Sequence, residues 1–129
     1  MKMNLQKLLF IHAIITLVAG LVLIVAPAFI PETVNIHITP DQYLLCYFLA
    51  AAELTIAYLS FMSRKIKDHF LLQIISISFI LFHTITGLLE FYAITQGASS
   101  KIVGNMMLRL IVVLLFCYYG IYKNKRIST

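Results

Sequence analysis

Four long apolar stretches constrain this chain more than any other feature of its sequence. They run from about Leu8 to Pro27, from Pro40 to Met62, from Phe70 to Ala93 and from Ile102 to Tyr122. Each has about 20 residues, enough for an α-helix to cross about 30 Å of hydrocarbon. None shows the alternation of apolar and polar residues that is typical of a membrane β-strand. The sequence therefore predicts an all-α membrane protein with four transmembrane helices.

The composition agrees with lipid as the solvent of this chain. Of its 129 residues, 61% are hydrophobic and 12% are charged. A soluble domain of this length leaves much of its surface in water and cannot hide so many apolar side chains. The length allows one domain, residues 1–129, and the short connections predict an antiparallel up-down-up-down bundle.

Basic residues lie at the ends of the apolar stretches, where they orient a membrane protein, because cytoplasmic connections carry an excess of Lys and Arg. The predicted cytoplasmic side has Lys2, Lys7, Arg64, Lys65, Lys67, Lys123, Lys125 and Arg126, and the opposite side has Lys101. We therefore predict a multi-pass protein of the bacterial inner membrane with both termini in the cytoplasm. The formal net charge of +5 forms no basic face, so nucleic acid is not expected as a partner.

The connections contain recognisable helix signals. Thr39 and Gln42 suit the start of the second helix, Gly97 suits the end of the third, and Ser100 suits the start of the fourth. The connection from Ala28 to Thr39 alternates apolar and polar residues in its second half. We expect it to cover the outer end of the bundle as an extended segment.

Ionisable residues inside the apolar stretches are the candidates for function. Glu53, Glu90 and Arg109 each cost roughly 2.5–3.5 kcal/mol near a bilayer centre, so such residues face the interior and pair. At 1.5 Å per residue, Glu90 and Arg109 lie about 7 and about 10 Å below the outer boundary, which predicts an ion pair. Glu53 and His83 both fall at about 17 Å, close to the midplane, and Thr16 lies at a similar level.

Helical spacing gathers the polar residues of each segment on one face. In chain order, these faces are His12, Thr16 and Gly20; Cys46, Ala50, Glu53 and Ala57; His83, Gly87 and Glu90; and Asn105, Arg109, Val112 and Phe116. Four such faces predict one shared interior site, open toward the outside if anywhere. Its predicted ligand-binding residues are Glu53, His83, Glu90, Arg109, Thr16 and Asn105. Two acids and one arginine leave an excess negative charge, so we expect Glu53 to hold a proton or to share one with His83.

Three functional hypotheses follow. The first is a site that binds or conducts a proton, a cation or a small solute, since intramembrane acids and histidines form the proton relays of transporters. Because four helices enclose little volume, we expect a homo-oligomer or a larger membrane partner. The alternative is a structural or accessory subunit in which the Glu90–Arg109 pair only stabilises the bundle.

The third hypothesis is a membrane enzyme or a haem-binding redox protein. Haem would need His12 and His83 as axial ligands, and no other cofactor is expected. We predict no catalytic residue, and no close ligand spacing such as HxxxH indicates a metal site.

Three short runs stand out in the first three segments: Gly20–Pro27, Ala50–Glu53, and Phe82 with His83. With these runs the chain resembles small bacterial four-helix membrane proteins, the DoxX-like and related families. The resemblance covers most of the chain and includes the segment lengths. It implies a four-helix bundle of the inner membrane and carries over no functional residue.

Overall fold

The computed structural model describes residues 4–123, which form helices joined by short connections. The helices are α1 (Leu5–Val25), α2 (Phe29–Thr33), α3 (Tyr43–Ser63), α4 (His69–Thr95) and α5 (Val103–Phe116). A 3₁₀ turn precedes α3 at Pro40–Gln42 and another precedes α5 at Ser100–Ile102. A π-helical segment, Cys117–Tyr122, continues α5.

Within residues 4–123, four helices are long and apolar enough to cross a membrane. With their 3₁₀ and π extensions they are Leu5–Val25, Pro40–Ser63, His69–Thr95 and Ser100–Tyr122. The most apolar 18 residues of each helix have a mean hydropathy between 1.7 and 2.9. The four predicted helices are therefore confirmed, with ends that differ from the prediction by a few residues.

Side chains at two helix starts explain these differences. The side chain of Asn4 accepts a hydrogen bond from the backbone N–H of Lys7 at 2.9 Å, so α1 begins before the predicted Leu8. Asp68 does the same for Leu71 at 3.0 Å at the start of α4. Such caps satisfy backbone N–H groups that have no partner in the first helical turn.

The predicted signals at the other helix ends are largely confirmed. The backbone N–H of Thr39 donates to Oε1 of Gln42 at 3.0 Å, as a capping box requires. Gly97 follows α4 with φ +99°, a conformation that favours glycine. The prediction for Ser100 is wrong by one residue, because Ser99 Oγ accepts from the backbone N–H two residues on, at 3.3 Å.

The connection from Ala28 to Thr39 is not extended throughout, so that prediction is partly wrong. Its first half forms α2, in which Pro31 lies within the first turn, where its missing N–H costs no hydrogen bond. Asn35 then takes a positive φ of 59°, which ends the helical turn. Its side chain accepts a hydrogen bond from Nζ of Lys101 at 2.9 Å, which ties this connection to the one before α5.

The long helices pack as two pairs, α1 with α3 and α4 with α5. Gly20 allows the first pair to approach closely. A Cβ at this position would lie 2.9 Å from the Leu54 side chain and 3.2 Å from the carbonyl oxygen of Ala50. In the second pair, Gly120 of the π-helical segment lies against Ser76. Small residues at these contacts are typical of helix packing in lipid.

An apolar cluster joins the two pairs. Its buried members are Leu5, Leu8 and Leu9 of α1, Leu72, Ile75 and Phe79 of α4, and Phe116 of α5. The outward faces of the helices also carry large apolar side chains, such as Leu45 and Tyr58, which are 67% and 68% exposed. Exposed apolar surface on this scale is what contact with lipid requires.

We expect Gly20→Ala to lower the free energy of unfolding by about 1–3 kcal/mol, because the added methyl group must displace Leu54. Gly87→Ala is the matched control, since its Cβ would meet no atom within 4 Å. It should leave stability unchanged or raise it by about 0.5–1 kcal/mol, the helix preference of alanine over glycine. Unfolding in mixed micelles, followed by circular dichroism, measures both. Equal losses at the two positions would contradict the close α1–α3 contact.

Candidate functional site

The predicted ion pair between α4 and α5 is confirmed. Nε of Arg109 donates to Oε1 of Glu90 at 2.9 Å, and the two side chains are only 15% and 17% exposed. Nδ2 of Asn105 donates to the same oxygen at 2.6 Å. The other carboxylate oxygen of Glu90, Oε2, is buried and has no hydrogen-bond partner among residues 4–123. Glu90 thus fixes the orientation of Arg109, and the hydrogen bond from Asn105 in turn fixes Glu90.

A histidine pair continues from this arginine into the centre of the bundle. Nη1 of Arg109 lies 3.4 Å from Nδ1 of His83, a long contact. Nε2 of His83 lies 2.9 Å from Nε2 of His12 on α1, and Nδ1 of His12 lies 2.8 Å from Oγ of Ser60 on α3. Both histidines are buried, with 3% and 7% of their surface exposed. The chain of contacts therefore links all four long helices.

The chemistry of arginine fixes the direction of these hydrogen bonds. A guanidinium group has no acceptor, so Nδ1 of His83 must accept from Arg109 and Nε2 of His83 must carry the hydrogen. Nε2 of His12 then accepts, which leaves Nδ1 of His12 to donate to the Ser60 hydroxyl oxygen. The two neutral imidazoles are consequently held as different tautomers.

Aromatic rings surround the His12 side chain on the side of the apolar cluster. Its ring centroid lies 4.8 Å from that of Phe79 and 5.2 Å from that of Phe116. The Phe116 contact is edge-to-face, an arrangement that aromatic rings prefer. These rings limit the movement of His12 and keep its Nε2 directed at His83.

A cavity of about 240 Å³ lies between α1 and α5, beside the histidine pair. Its polar wall consists of His12, Thr16, Glu53, His83, Asn105 and Arg109. Five of the six predicted ligand-binding residues therefore line one space. The sixth, Glu90, stands behind that wall and holds Arg109 and Asn105 in place.

Glu53 differs from the other polar residues of this wall. Its side chain is buried, with 8% of its surface exposed, and no hydrogen bond or ion pair joins it to another of residues 4–123, although the charge of Arg109 acts on it. The expected sharing of a proton with His83 is not found, since the two ring nitrogens of His83 contact His12 and Arg109 instead. A buried carboxyl group thus lines the cavity without a hydrogen-bond partner.

The cavity opens sideways, through the gap between α1 and α5. Ile11 and Ile15 on one side and Leu108 and Ile111 on the other are 46–51% exposed and form its apolar lips. All four lie in the middle of their helices and not in the connections. Asn105, near the start of α5, also lines the cavity and is exposed, so the expected opening toward the outer end of the bundle stays a prediction beside this lateral gap.

Two residues of the hydrogen-bonded chain were not predicted as ligand-binding residues. The sequence places His12 on a polar face and in the haem alternative, and it does not single out Ser60. Ser60 follows Glu53 by seven residues, so helical spacing alone places both on one face and is the signal that identifies it.

The haem alternative stays a prediction. The two nitrogens that would bind iron contact each other at 2.9 Å, so His12 and His83 would have to move apart to admit a metal between them. Among residues 4–123, no group of three or more His, Cys, Asp and Glu side chains is placed to hold a metal ion.

Known proteins provide no guide to this site. The chain matches no family model, no curated protein and no solved structure. The resemblance to DoxX-like proteins therefore stays an expectation from the sequence, and the role of the site must be argued from its own chemistry.

We expect Arg109→Leu to destabilise the bundle by about 3 kcal/mol, because it leaves the half-buried Glu90 carboxylate without its counter-charge. The double substitution of Glu90 and Arg109 by Leu should recover most of this loss, since no charge is then stranded. Lys65→Leu, at an exposed position outside the helices, is the control for removing a cation. Unfolding in mixed micelles measures all three variants. A double variant as unstable as the single one would show that the stranded charge is not the cause.

The histidine tautomers provide a second prediction. In protein labelled with ¹⁵N at histidine, His83 should carry its hydrogen on Nε2 and His12 on Nδ1, both rings being neutral. Arg109→Leu removes the donor that fixes this order and should allow His83 to change tautomer. Nitrogen chemical shifts in lipid bilayers report each state, with His12→Phe and His83→Phe to assign the signals. Finding the hydrogen of His83 on Nδ1 in the unsubstituted protein would contradict the assigned direction.

Proposed function

We propose that this chain is a small integral membrane protein of the bacterial inner membrane whose interior site binds a proton or a small cationic solute. It crosses the bilayer four times in an antiparallel up-down-up-down bundle, with both termini in the cytoplasm. The proposal has three supports: the length and apolarity of the helices, the distribution of basic residues, and the geometry of the cavity.

Contacts within the helix pairs support the antiparallel arrangement. On α1, Gly20 lies beside Ala50 of α3, whereas His12, earlier on α1, contacts Ser60, later on α3. The same inverse order relates α4 to α5. The basic residues Lys2, Lys125 and Arg126, which contribute to the predicted orientation, lie outside the described residues.

The unpartnered carboxyl of Glu53 is the observation on which the proposed function rests. An ionised carboxylate that is removed from water without a counter-charge is strongly unfavourable. The arginine of the same cavity attracts an ionised Glu53, but it already pairs with Glu90 at 2.9 Å, so one positive charge is shared between two carboxylates. Glu53 therefore holds a proton when the cavity contains no cation, and it exchanges that proton for a cation that enters.

The histidine pair adds to this site a second group that can accept or donate a proton. His12 and His83 line the same cavity as Glu53, and the hydrogen bond between them connects Arg109 to Ser60. Glu90 and Asn105 act as positioning residues, since they hold the arginine that fixes the tautomer of His83. We assign exchange to Glu53 and orientation to the hydrogen-bonded chain.

A structural or accessory subunit is the second candidate, and the last helix favours it. In the most apolar 18 residues of Ser100–Tyr122, 11% of the residues are buried, against 28–39% in the corresponding stretches of the other three helices. This helix therefore presents most of its surface to lipid or to a further helix. A second copy of the chain at this face would also enlarge the small volume that four helices enclose.

We expect infrared spectra of the protein in lipid at neutral pH to show the carbonyl band of one neutral carboxylic acid. The chain has five acidic side chains: Glu90 is paired with Arg109, and Glu32, Asp41 and Asp68 are exposed. Glu53→Gln should remove the band, and Glu32→Gln should leave it. A spectrum without such a band, or a band that persists in Glu53→Gln, would refute a proton on Glu53.

A further inference from the structure

We infer that the cavity receives its solute from the lipid, and that this solute is an amphiphilic amine. Its protonated amino group contacts Glu53, and its apolar chain passes between the lips formed by Ile11, Ile15, Leu108 and Ile111. The inference rests on the proposed function, since Glu53 is the group that exchanges its proton for the amine.

The position of the lips determines the route. The four lip residues lie in the middle of α1 and α5, and about half of each side chain is exposed. In a membrane, this level of the protein is surrounded by hydrocarbon. A solute that enters between these helices must already be dissolved in the bilayer, and the part of it that stays between the lips must be apolar.

The charges of the site determine whether a bound solute must be positively or negatively charged. With Glu53 ionised, the site has two carboxylates and one guanidinium, and Arg109 is engaged by Glu90. One negative charge is then left without a partner, and a monovalent cation neutralises it. An anionic amphiphile would add a second unpaired charge, which is unfavourable in a medium of low dielectric constant.

The polar atoms of the wall suit an ammonium group. Its three N–H donors need acceptors, and Glu53 supplies two carboxylate oxygens. The hydroxyl of Thr16 donates to the carbonyl oxygen of His12 at 2.9 Å, which leaves lone pairs of Oγ1 directed elsewhere. Both residues line the cavity. A neutral alcohol of the same length would make fewer hydrogen bonds and would leave the carboxylate uncompensated.

The volume limits the polar part of the solute. At about 240 Å³, the cavity is smaller than the roughly 300–1,000 Å³ of sites that enclose a drug-sized molecule. It holds an amino group and the first carbons of a chain. A linear primary amine, whose chain leaves the cavity between the lips, satisfies both the volume and the lateral opening.

Each bound ammonium group compensates the single negative charge of one ionised Glu53. At neutral pH the amine leaves one proton in the water when it dissolves in the bilayer as its neutral form. In the cavity the O–H bond of Glu53 breaks and that proton bonds to the amine nitrogen, so that a carboxylate and an ammonium group remain as an ion pair. Binding of one amine therefore releases one proton.

The test compares decylamine, decanol and decanoate, which share one chain length and differ in their head groups. Native mass spectrometry from a fixed detergent concentration counts the molecules retained by each chain, and a dilute buffer with a pH indicator measures proton release. We expect one decylamine per chain and release of about one proton, with at least tenfold weaker retention of the other two compounds.

Two variants and one control locate the binding. Glu53→Gln should weaken decylamine retention at least tenfold and abolish proton release. Ile111→Trp, which narrows the lips without touching Glu53, should weaken retention while keeping the carboxylic acid band of Glu53. Glu32→Gln, at an exposed acid of α2, should bind decylamine as the unsubstituted protein does. Circular dichroism establishes that each variant is folded.

The outcomes separate this inference from the proposed function. Equal retention of the three compounds, or a preference for decanoate, overturns the inference. Failure to bind decylamine while the Glu53 band is present also overturns it and leaves the proton site standing. Binding of decylamine without proton release, in a protein that lacks the band, refutes the proton on Glu53 and supports the amine as a simple counter-ion.

Discussion

The hydrogen bond between His12 and His83 joins the α1–α3 pair to the α4–α5 pair in the polar part of the interior. A single hydrogen bond contributes about 0.5–1.5 kcal/mol net, but a buried polar group left without a partner costs about 1–3 kcal/mol. Separating the two rings would therefore cost more than the net energy of the hydrogen bond, because each ring would lose a buried partner. The cavity lies beside these rings and is lined mainly by α1 and α5, and the apolar cluster extends from Leu5 to Phe79 and Phe116, which contact His12.

The Glu90–Arg109 pair supports this arrangement from the other side. It neutralises two charges that would be unfavourable singly, and it directs a donor at His83. Its presence also explains why Glu53 is available, because the arginine in reach is already engaged. One acid of the bundle thus stabilises structure and the other faces a space that a solute can enter.

Much of the fold and part of the site could be predicted from the sequence. Helix number follows from the length of the apolar stretches, and the Glu90–Arg109 pair follows from their similar depth and from the cost of a lone charge in lipid. The sequence pairs His12 with His83 only as haem ligands, because depth does not reveal that their ring nitrogens contact each other directly. Likewise, the side opening depends on how far apart α1 and α5 lie, and helix α2 depends on turn geometry that an alternating pattern obscures.

The fixed direction of the hydrogen bonds has a consequence for any proton that travels along them. If one proton entered at Nδ1 of His83 and another left from Nδ1 of His12, both imidazoles would end in the opposite tautomer. His83 would then point an N–H at the N–H of Arg109, and the two groups would repel. Both rings would have to return to their first tautomers before a second proton could pass in the same direction, so the pair would pass protons one at a time.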